Sequence, residues 1–128
     1  MEKKRYKYVK DEHYPIEHLV YQVDPDHIKE CLEADHELWT LGIAMHEEFE
    51  HIPILYKEVW VNENKPGEIH YIIAWESREA WKRMAKHDDE LENRFYENFK
   101  LPYKMVRCIQ EEENYGIHRY SRFERVDD

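Results

Sequence analysis

The chain has 128 residues, with 19 Lys and Arg against 29 Asp and Glu, and its formal net charge is −10. This length suits one domain that buries a core without disulfides or a metal. The acidic balance argues against a dedicated nucleic-acid binder, and no apolar run approaches the ~20 residues of a membrane span. No basic start followed by an apolar stretch marks a signal peptide. We therefore expect a cytoplasmic protein that binds neither nucleic acid nor a membrane.

The composition also excludes several kinds of site. Three glycines in the whole chain leave no Gly-rich phosphate loop of a nucleotide-binding protein. The two cysteines, Cys31 and Cys108, lack zinc spacing and are too few for a disulfide framework. Only Ser77 and Ser121 could act as a nucleophilic serine, and neither lies in a Gly-x-Ser-x-Gly motif. Aromatic residues make up 14% of the chain, which argues against disorder despite the high charge.

The charge is distributed unevenly along the chain. The first ten residues carry five Lys and Arg against one Glu, whereas the long middle is strongly acidic and the last eleven residues are balanced. We therefore divide the chain into a basic N-terminal arm (1–14), a domain (15–112) and a C-terminal extension (113–128). The arm is expected to lie against the acidic domain or to fray.

The first elements of the domain follow from apolar spacing. Residues 16–23 are rich in strand formers, and Asp24 followed by Pro25 is typical of a helix start. Apolar residues then recur at steps of three and four, which predicts a helix over 25–49 that ends before Pro53. The residues that form this apolar face of the predicted helix are Ile28, Cys31, Leu32, Leu38, Trp39, Gly42 and Met45.

The remaining elements alternate strands and helices. Residues 55–62 and 68–76 read as two strands joined by a polar turn that contains Pro66 and Gly67, and this pattern predicts a hairpin. Ser77 is a candidate cap for the helix that follows. A second helical stretch is predicted to start near Asp88, a strand covers about 103–110, an acidic turn covers 111–114, and the tail holds a short strand over 117–123. The apolar face of that helical stretch is Leu91, Phe95 and Phe99.

The predicted order is β-α-β-β-α-β, the order of a ferredoxin-like α+β sandwich with helices on one face of an antiparallel sheet. The third strand is apolar on both sides, so neither side should face water. We expect a second copy of the sheet to cover the free side, giving a homodimeric α/β barrel. His70 is expected under the helices as a core histidine. One side carries Ile69, Tyr71, Ile73 and Trp75, and the other carries His70, Ile72 and Ala74.

Two sequence stretches carry a family resemblance. Lys-Glu-Val-Trp-Val-Asn at 57–62 and Trp-Glu-Ser-Arg-Glu-Ala-Trp-Lys at 75–82 resemble the dimeric α/β-barrel superfamily. Asp35, Trp39 and Thr40 are similar to the pattern of an uncharacterised branch that was first catalogued in cyanobacteria. The superfamily includes cofactor-free monooxygenases of antibiotic biosynthesis, haem-degrading monooxygenases and stress-induced proteins. The resemblance implies a ligand cavity between helices and sheet or inside the dimer barrel.

The haem-degrading branch offers one specific comparison. Its site combines a Trp at the end of the third strand, a His on the following helix and an Asn on the first strand. Trp75 matches the first of these, and His87 lies two residues beyond the family spacing. The first strand offers His18 or Gln22 but no Asn. We therefore expect no bound cofactor and keep haem as a less favoured alternative.

The candidate site residues are four aromatic side chains and two histidines. As a pocket, Tyr21, Trp60, Tyr71 and Trp75 would bind a small aromatic ligand, whereas as structural residues they would form the core of the dimer interface. His87 and His18 are the candidates for moving a proton.

No metal site is predicted. His46 and Glu50 are spaced for chelation, but no third ligand from another segment is identifiable.

Two functions from different classes follow from these residues. The first is a cofactor-free, monooxygenase-like enzyme that acts on a small aromatic or polycyclic molecule. The second is a non-catalytic small-ligand-binding or stress-related dimer, in which the aromatic residues pack the interface. A haem-degrading monooxygenase is the least favoured interpretation.

Overall fold

The computed structural model describes residues 5–127, in which five antiparallel strands form one sheet. Four strands lie in the order β2-β3-β1-β4, and β5 pairs with the first half of the long strand β1. The strands are β1 (Arg5–Val23), β2 (Ile54–Val61), β3 (Glu68–Trp75), β4 (Tyr103–Cys108) and β5 (His118–Val126).

The helices connect these strands. The crossover from β1 to β2 begins with a 3-10 turn at Pro25–His27 and contains a π-helical segment at Asp35–Thr40 between two α-helices. In residues 5–127, no helix combines the length and the apolar character that crossing a membrane requires. The α-helices are α1 (Ile28–Ala34), α2 (Leu41–Ala44), α3 (Arg78–Ala85), α4 (Asp88–Asn98) and α5 (Ile109–Glu112).

The element order confirms the predicted α+β class and is compatible with a ferredoxin-like fold. Two predicted helix N-caps are also confirmed. The Asp24 side chain accepts a hydrogen bond from the Asp26 N–H, and the Ser77 side chain accepts one from the Ala80 N–H. The predicted helix over 25–49 is too long, since α2 ends at Ala44. The predicted acidic turn overlaps α5 instead.

The arm and the extension pair with each other. The described part of the arm belongs to β1 and pairs with β5, with Arg5 opposite Val126 and Lys10 opposite Ser121. The strand therefore crosses the predicted boundary at residue 14. An ion pair between Arg119 of β5 and Glu12 of β1 also joins the two strands. Residues 1–4 of the arm and residue 128 lie outside the described part of the chain.

The core lies between the helices and one side of β3. Ile69, Tyr71, Ile73 and Trp75 are each at most 5% exposed, and they pack on the helices. His70 therefore points away from the helices, and the expectation that it is a core histidine under them is wrong. The physical reason is that the large aromatic side chains bury more apolar area on the helix side. The packing partners include Cys31, Met84, Leu91, Phe95 and Phe99.

Candidate functional site

A cavity of about 490 Å³ lies between the helices and the sheet. Its inner wall consists of buried apolar and aromatic side chains, among them Ile73, Trp75 and Met84. Its mouth opens between α4 and the segment formed by β4 and α5. A volume of this size accommodates a small organic molecule. The exposed residues at the mouth include Asp88, Glu92, Tyr96, Met105, Glu111 and Tyr115.

Strand alternation explains which side chains of β1 enter the cavity. Residues two apart on a strand share a face, so Glu17, Leu19 and Tyr21 lie on one side of β1. The register places Glu17 opposite Ile73 and Leu19 opposite Tyr71, on the side of the sheet that the helices cover. A carboxyl group is thereby placed among aromatic rings.

Glu17 is the central titratable group of the cavity. Its Oε1 accepts a hydrogen bond from Trp75 Nε1 at 2.9 Å. Burial raises the pKa of Glu17 to about 7, with a further rise from the nearby Asp88 charge and opposing effects from the Trp75 hydrogen bond and Lys57. The group can therefore take up or release a proton near neutral pH, which is the property required of a general acid or base.

Trp75 also forms a flat wall. Its ring stacks on Trp81 with a centroid distance of 5.9 Å and an interplanar angle of 2°. Tyr115 meets the edge of Trp81 at 5.7 Å. These rings present π faces and edges to the cavity, so the wall suits a planar aromatic ligand.

The π-helical segment positions a buried ion pair on the helix side. A π turn brings residues five apart into line, which places Asp35 and Thr40 on the same side of the helix. Both contact Lys57 of β2: Nζ lies 2.5 Å from Asp35 Oδ2 and 2.7 Å from Thr40 Oγ1. Burial raises the pKa of Asp35, and the Lys57 ammonium opposes that rise. The exposed fractions of the Lys57 and Asp35 side chains are only 7% and 6%.

Three tyrosines line the cavity next to this pair. The Tyr103 hydroxyl donates to the Tyr71 hydroxyl at 3.0 Å, and Tyr21 stacks on Tyr103 with a centroid distance of 4.4 Å. Burial raises the pKa of all three phenols, so they are neutral at physiological pH. They supply hydroxyl groups for hydrogen bonding rather than negative charge.

The mouth of the cavity is acidic. Asp88, at the start of α4, has a pKa raised to about 6 by partial desolvation, and Asp89 and Glu92 raise it further. Glu111 lies across the opening. Lys57 is the one cationic side chain among the described residues that line the cavity. This charge distribution disfavours anionic ligands and favours neutral or cationic ones.

The structure brings together three of the four predicted aromatic residues. Tyr21, Tyr71 and Trp75 line the cavity, whereas Trp60 lies on the opposite face of the sheet and is 57% exposed. His18 shares that outer face with Trp60 and lines a shallow depression there. His87 points away from the cavity and contacts Glu48 at 2.6 Å. The roles assigned to these six residues stay predictions.

The outer face carries its own polar chain. His18 Nε2 lies 3.1 Å from His70 Nδ1, and His70 Nε2 lies 2.9 Å from Glu68 Oε1. Burial and the nearby His70 and Arg107 lower the pKa of His18. A histidine pair at this distance favours at least one neutral ring.

The interpretation of the sequence missed Glu17, Lys57 and Asp88 as cavity residues. A signal for Glu17 was present, because it is the acidic residue on the same side of the first strand as Leu19 and Tyr21. The sequence could not show that the helices cover that side. Lys57 lies on the helix side because the register of β2 places it opposite Ile73, and the sequence alone did not fix that register.

The lining of the cavity does not fit the histidine-ligated haem of the haem-degrading branch, which was the less favoured alternative. Among the lining residues that the structure describes, none is a histidine. His87 engages Glu48 outside the cavity, and the first strand supplies Glu17 where an Asn was sought.

No family model and no curated protein sequence matches the chain. A Caulobacter crescentus CB15 protein, provisionally named an antibiotic biosynthesis monooxygenase, aligns at 9% identity and a TM-score of 0.48, covering 91% of this chain and 93% of that one. A conserved protein from Methanosarcina mazei Go1 aligns at 11% identity and a TM-score of 0.47, covering 90% of this chain and 95% of that one. Similarity at this level assigns neither fold nor activity.

Proposed function

We propose that the cavity binds a small neutral aromatic molecule and that Glu17 removes a proton from it in a cofactor-free monooxygenation. One observation carries the proposal: the Glu17 carboxyl group, with a pKa of about 7, lies among aromatic rings in a cavity with a buried inner wall. A base with that pKa is matched to proton abstraction at neutral pH. The aromatic walls supply the binding surface.

The substrate class follows from the chemistry that a carboxylate can perform. A CH₂ group that is conjugated on loss of a proton with both an aromatic ring and a carbonyl group is acidic enough for Glu17 to deprotonate. The resulting carbanion transfers an electron to dioxygen, and the two radicals combine to a hydroperoxide after protonation. Loss of water then gives a ketone, so that R₂CH₂ and O₂ become R₂C=O and H₂O. One oxygen atom enters the product and the other leaves as water, and the substrate supplies all the electrons.

Lys57 has the complementary role. It lies on the same face of the sheet as Glu17, and its ammonium lies 4.9 Å from the centroid of the Tyr71 ring. A cation in this position stabilises the oxyanion that develops on a deprotonated substrate. Asp35 and Thr40 hold the ammonium in place, so Asp35 is a positioning residue.

The test is oxygen uptake with a panel of neutral polycyclic ketones that carry an activated CH₂ group. We expect Glu17→Gln to lower kcat about 10²- to 10⁴-fold with KM little changed. Glu58→Gln is the matched control, because Glu58 is an exposed carboxylate on β2 opposite Ile72 of the outer face. Unchanged turnover in Glu17→Gln would remove Glu17 from the mechanism. The His18→Ala and His87→Ala variants test the two histidines in the same assay.

We also propose that the outer face packs against the same face of a second copy. Trp60 is 57% exposed beside the half-buried Ile72, so this face presents apolar area that a partner sheet would cover. Native mass spectrometry should show about 32 kDa, twice the 16.0 kDa of one chain. A species of 16.0 kDa alone would contradict the dimer. Adding haemin should leave the mass unchanged, and uptake of one haem per chain would overturn the cofactor-free proposal.

A non-catalytic binding protein is the second candidate function. The observation that favours it is that the polar groups of the cavity already satisfy one another, as in the Lys57–Asp35 and Tyr103–Tyr71 pairs. Quenching of tryptophan fluorescence reports binding near Trp75 and Trp81 independently of turnover. Saturable quenching without oxygen uptake across the panel would favour this candidate.

A further inference from the structure

Two histidines and a glutamate from distant segments converge outside the cavity. His46 follows α2, whereas His87 is the N-cap of α4 and Glu90 lies in the first turn of that helix. One potential ligand atom from each of the three residues lies within 4.8 Å of the others. The two imidazole rings are 4.2 Å apart between centroids. The second segment thus supplies the partner ligands that His46 lacks in its own stretch of sequence.

The contacts define which atoms face one another. Glu90 Oε2 lies 4.0 Å from His46 Nε2 and 3.7 Å from His87 Nδ1. Both separations are longer than hydrogen bonds, so neither histidine nitrogen is hydrogen-bonded to Glu90 Oε2. Ligand atoms about 2 Å from a common ion are about 3–4 Å apart in tetrahedral coordination.

We propose that His46 Nε2, His87 Nδ1 and Glu90 Oε2 form a binding site for a divalent transition metal of the Zn²⁺ class. Two imidazole nitrogens and a carboxylate oxygen are ligands that Zn²⁺ accepts. The side chain of Glu90 is 53% exposed, so ions in solution can reach this carboxylate.

Neighbouring charges orient two of the three ligands. His87 Nε2 lies 2.6 Å from Glu48 Oε2, so its proton is held on Nε2 and the lone pair of Nδ1 faces the site. A carboxylate behind a metal-binding histidine is a common arrangement in metal sites. Arg83 lies 3.8 Å from the other oxygen of Glu48, and Arg94 lies 3.4 Å from Glu90 Oε1. Each arginine thereby holds a carboxylate while leaving Oε2 directed at a histidine.

Binding requires one local change. His46 Nδ1 accepts the Glu48 N–H at 3.2 Å, which places the ring proton on Nε2. Metal binding at Nε2 moves that proton to Nδ1 and breaks this long contact. The exchange replaces one weak hydrogen bond with a coordinate bond, and it ties the segment after α2 to the start of α4.

The test is titration of the purified, metal-free protein with Co²⁺, a spectroscopic substitute for Zn²⁺, followed by competition with Zn²⁺. We expect one equivalent per chain, with visible absorption bands of a nitrogen- and oxygen-ligated ion. His46→Ala and His87→Ala should each weaken binding at least tenfold. Glu90→Gln keeps the size of the side chain and should weaken binding by a similar factor, because it removes the carboxylate ligand.

A matched control distinguishes this site from nonspecific histidine binding. His27 pairs with Glu30 at 3.1 Å on the surface, so His27→Ala removes a His–Glu pair that belongs to no three-ligand cluster in residues 5–127. This variant should bind Co²⁺ as the wild-type protein does. The proposal is overturned if the wild-type protein binds no Co²⁺ at millimolar concentration, or if His46→Ala and His87→Ala bind as tightly as His27→Ala. Circular dichroism checks that each variant is folded, and a thermal shift with Zn²⁺ gives a second readout.

Discussion

The two faces of the sheet are built from alternate residues of the same strands, yet they have different chemistry. On the helix side, Glu17 and Trp75 meet in a cavity, and the carboxyl group is partly removed from water. On the outer side, His18 and His70 contact each other beside Trp60, which is 57% exposed. Helix coverage, rather than residue type, decides which titratable groups are strongly perturbed.

This difference shows why residue identity alone is a poor guide to the site. Histidine titrates near neutrality in water, and glutamate does so only when it is desolvated. Glu17 gains that property because the helices cover its face of β1. His18, one position along, points to the other side.

Replacing one tryptophan on each face should give the largest difference. Trp75→Ala removes a 2% exposed side chain from the core and should lower the free energy of unfolding by about 3–5 kcal/mol. Trp60→Ala should cost the folded chain less than about 1 kcal/mol but weaken the proposed dimer. Urea denaturation and native mass spectrometry measure the two effects. Equal losses of stability would contradict the assignment of the faces.

Breaking one ion pair on each face sharpens the same comparison. Lys57→Met leaves the Asp35 carboxylate buried without its partner and should destabilise the protein by about 3–5 kcal/mol. His70→Gln removes a more exposed partner of Glu68 and should change stability by less than about 1 kcal/mol. Thermal unfolding of both variants tests this. The double variant Asp35→Leu with Lys57→Met should recover part of the loss.

The pH dependence of stability should differ between wild-type protein and Glu17→Gln. The pKa of Glu17 is raised in the folded protein from 4.5 to about 7, so the folded state binds this proton more tightly than the unfolded state. Its contribution to stability is full below about pH 4.5 and is lost as pH rises to about 7. Glu17→Gln should therefore be more stable than wild type at pH 8, by up to about 3 kcal/mol, and similar at pH 4. Parallel stability curves for the two proteins would contradict this.

The smallest effect is expected from His18→Gln on the outer face. The pKa of His18 is lowered by burial and by His70 and Arg107, so the folded state binds this proton more weakly than the unfolded state. Stability is therefore lost as pH falls below the ordinary value of 6.5. Urea midpoints at pH 7.5 and 5.5 should show less acid sensitivity in His18→Gln than in wild type. A greater sensitivity would contradict the sign.

Local sequence patterns predicted much of the fold. The capping residues Asp24 and Ser77 behave as expected, and the two strands at 55–62 and 68–76 pair as a hairpin. These features depend on neighbours within a few residues. The sequence did not predict the pairing of β1 with β5, because that contact joins the two ends of the chain.

The candidate site was only partly predictable. Tyr21, Tyr71 and Trp75 share a face by strand alternation, and the structure places them in one cavity. Trp60 was grouped with them because the hairpin register was unknown, and that register places it opposite His70. The importance of Glu17 depends on tertiary coverage, which no local pattern expresses.

The most direct test of this account is the titration of Glu17 itself. Carboxyl carbon NMR of the protein labelled with ¹³C-glutamate should show one resonance with a pKa near 7, well apart from the exposed glutamates. That resonance should be missing from Glu17→Gln and present in Glu58→Gln. If all glutamates titrate near their ordinary value of about 4.5, Glu17 is solvated, and the cavity does not hold the base that the proposed reaction requires.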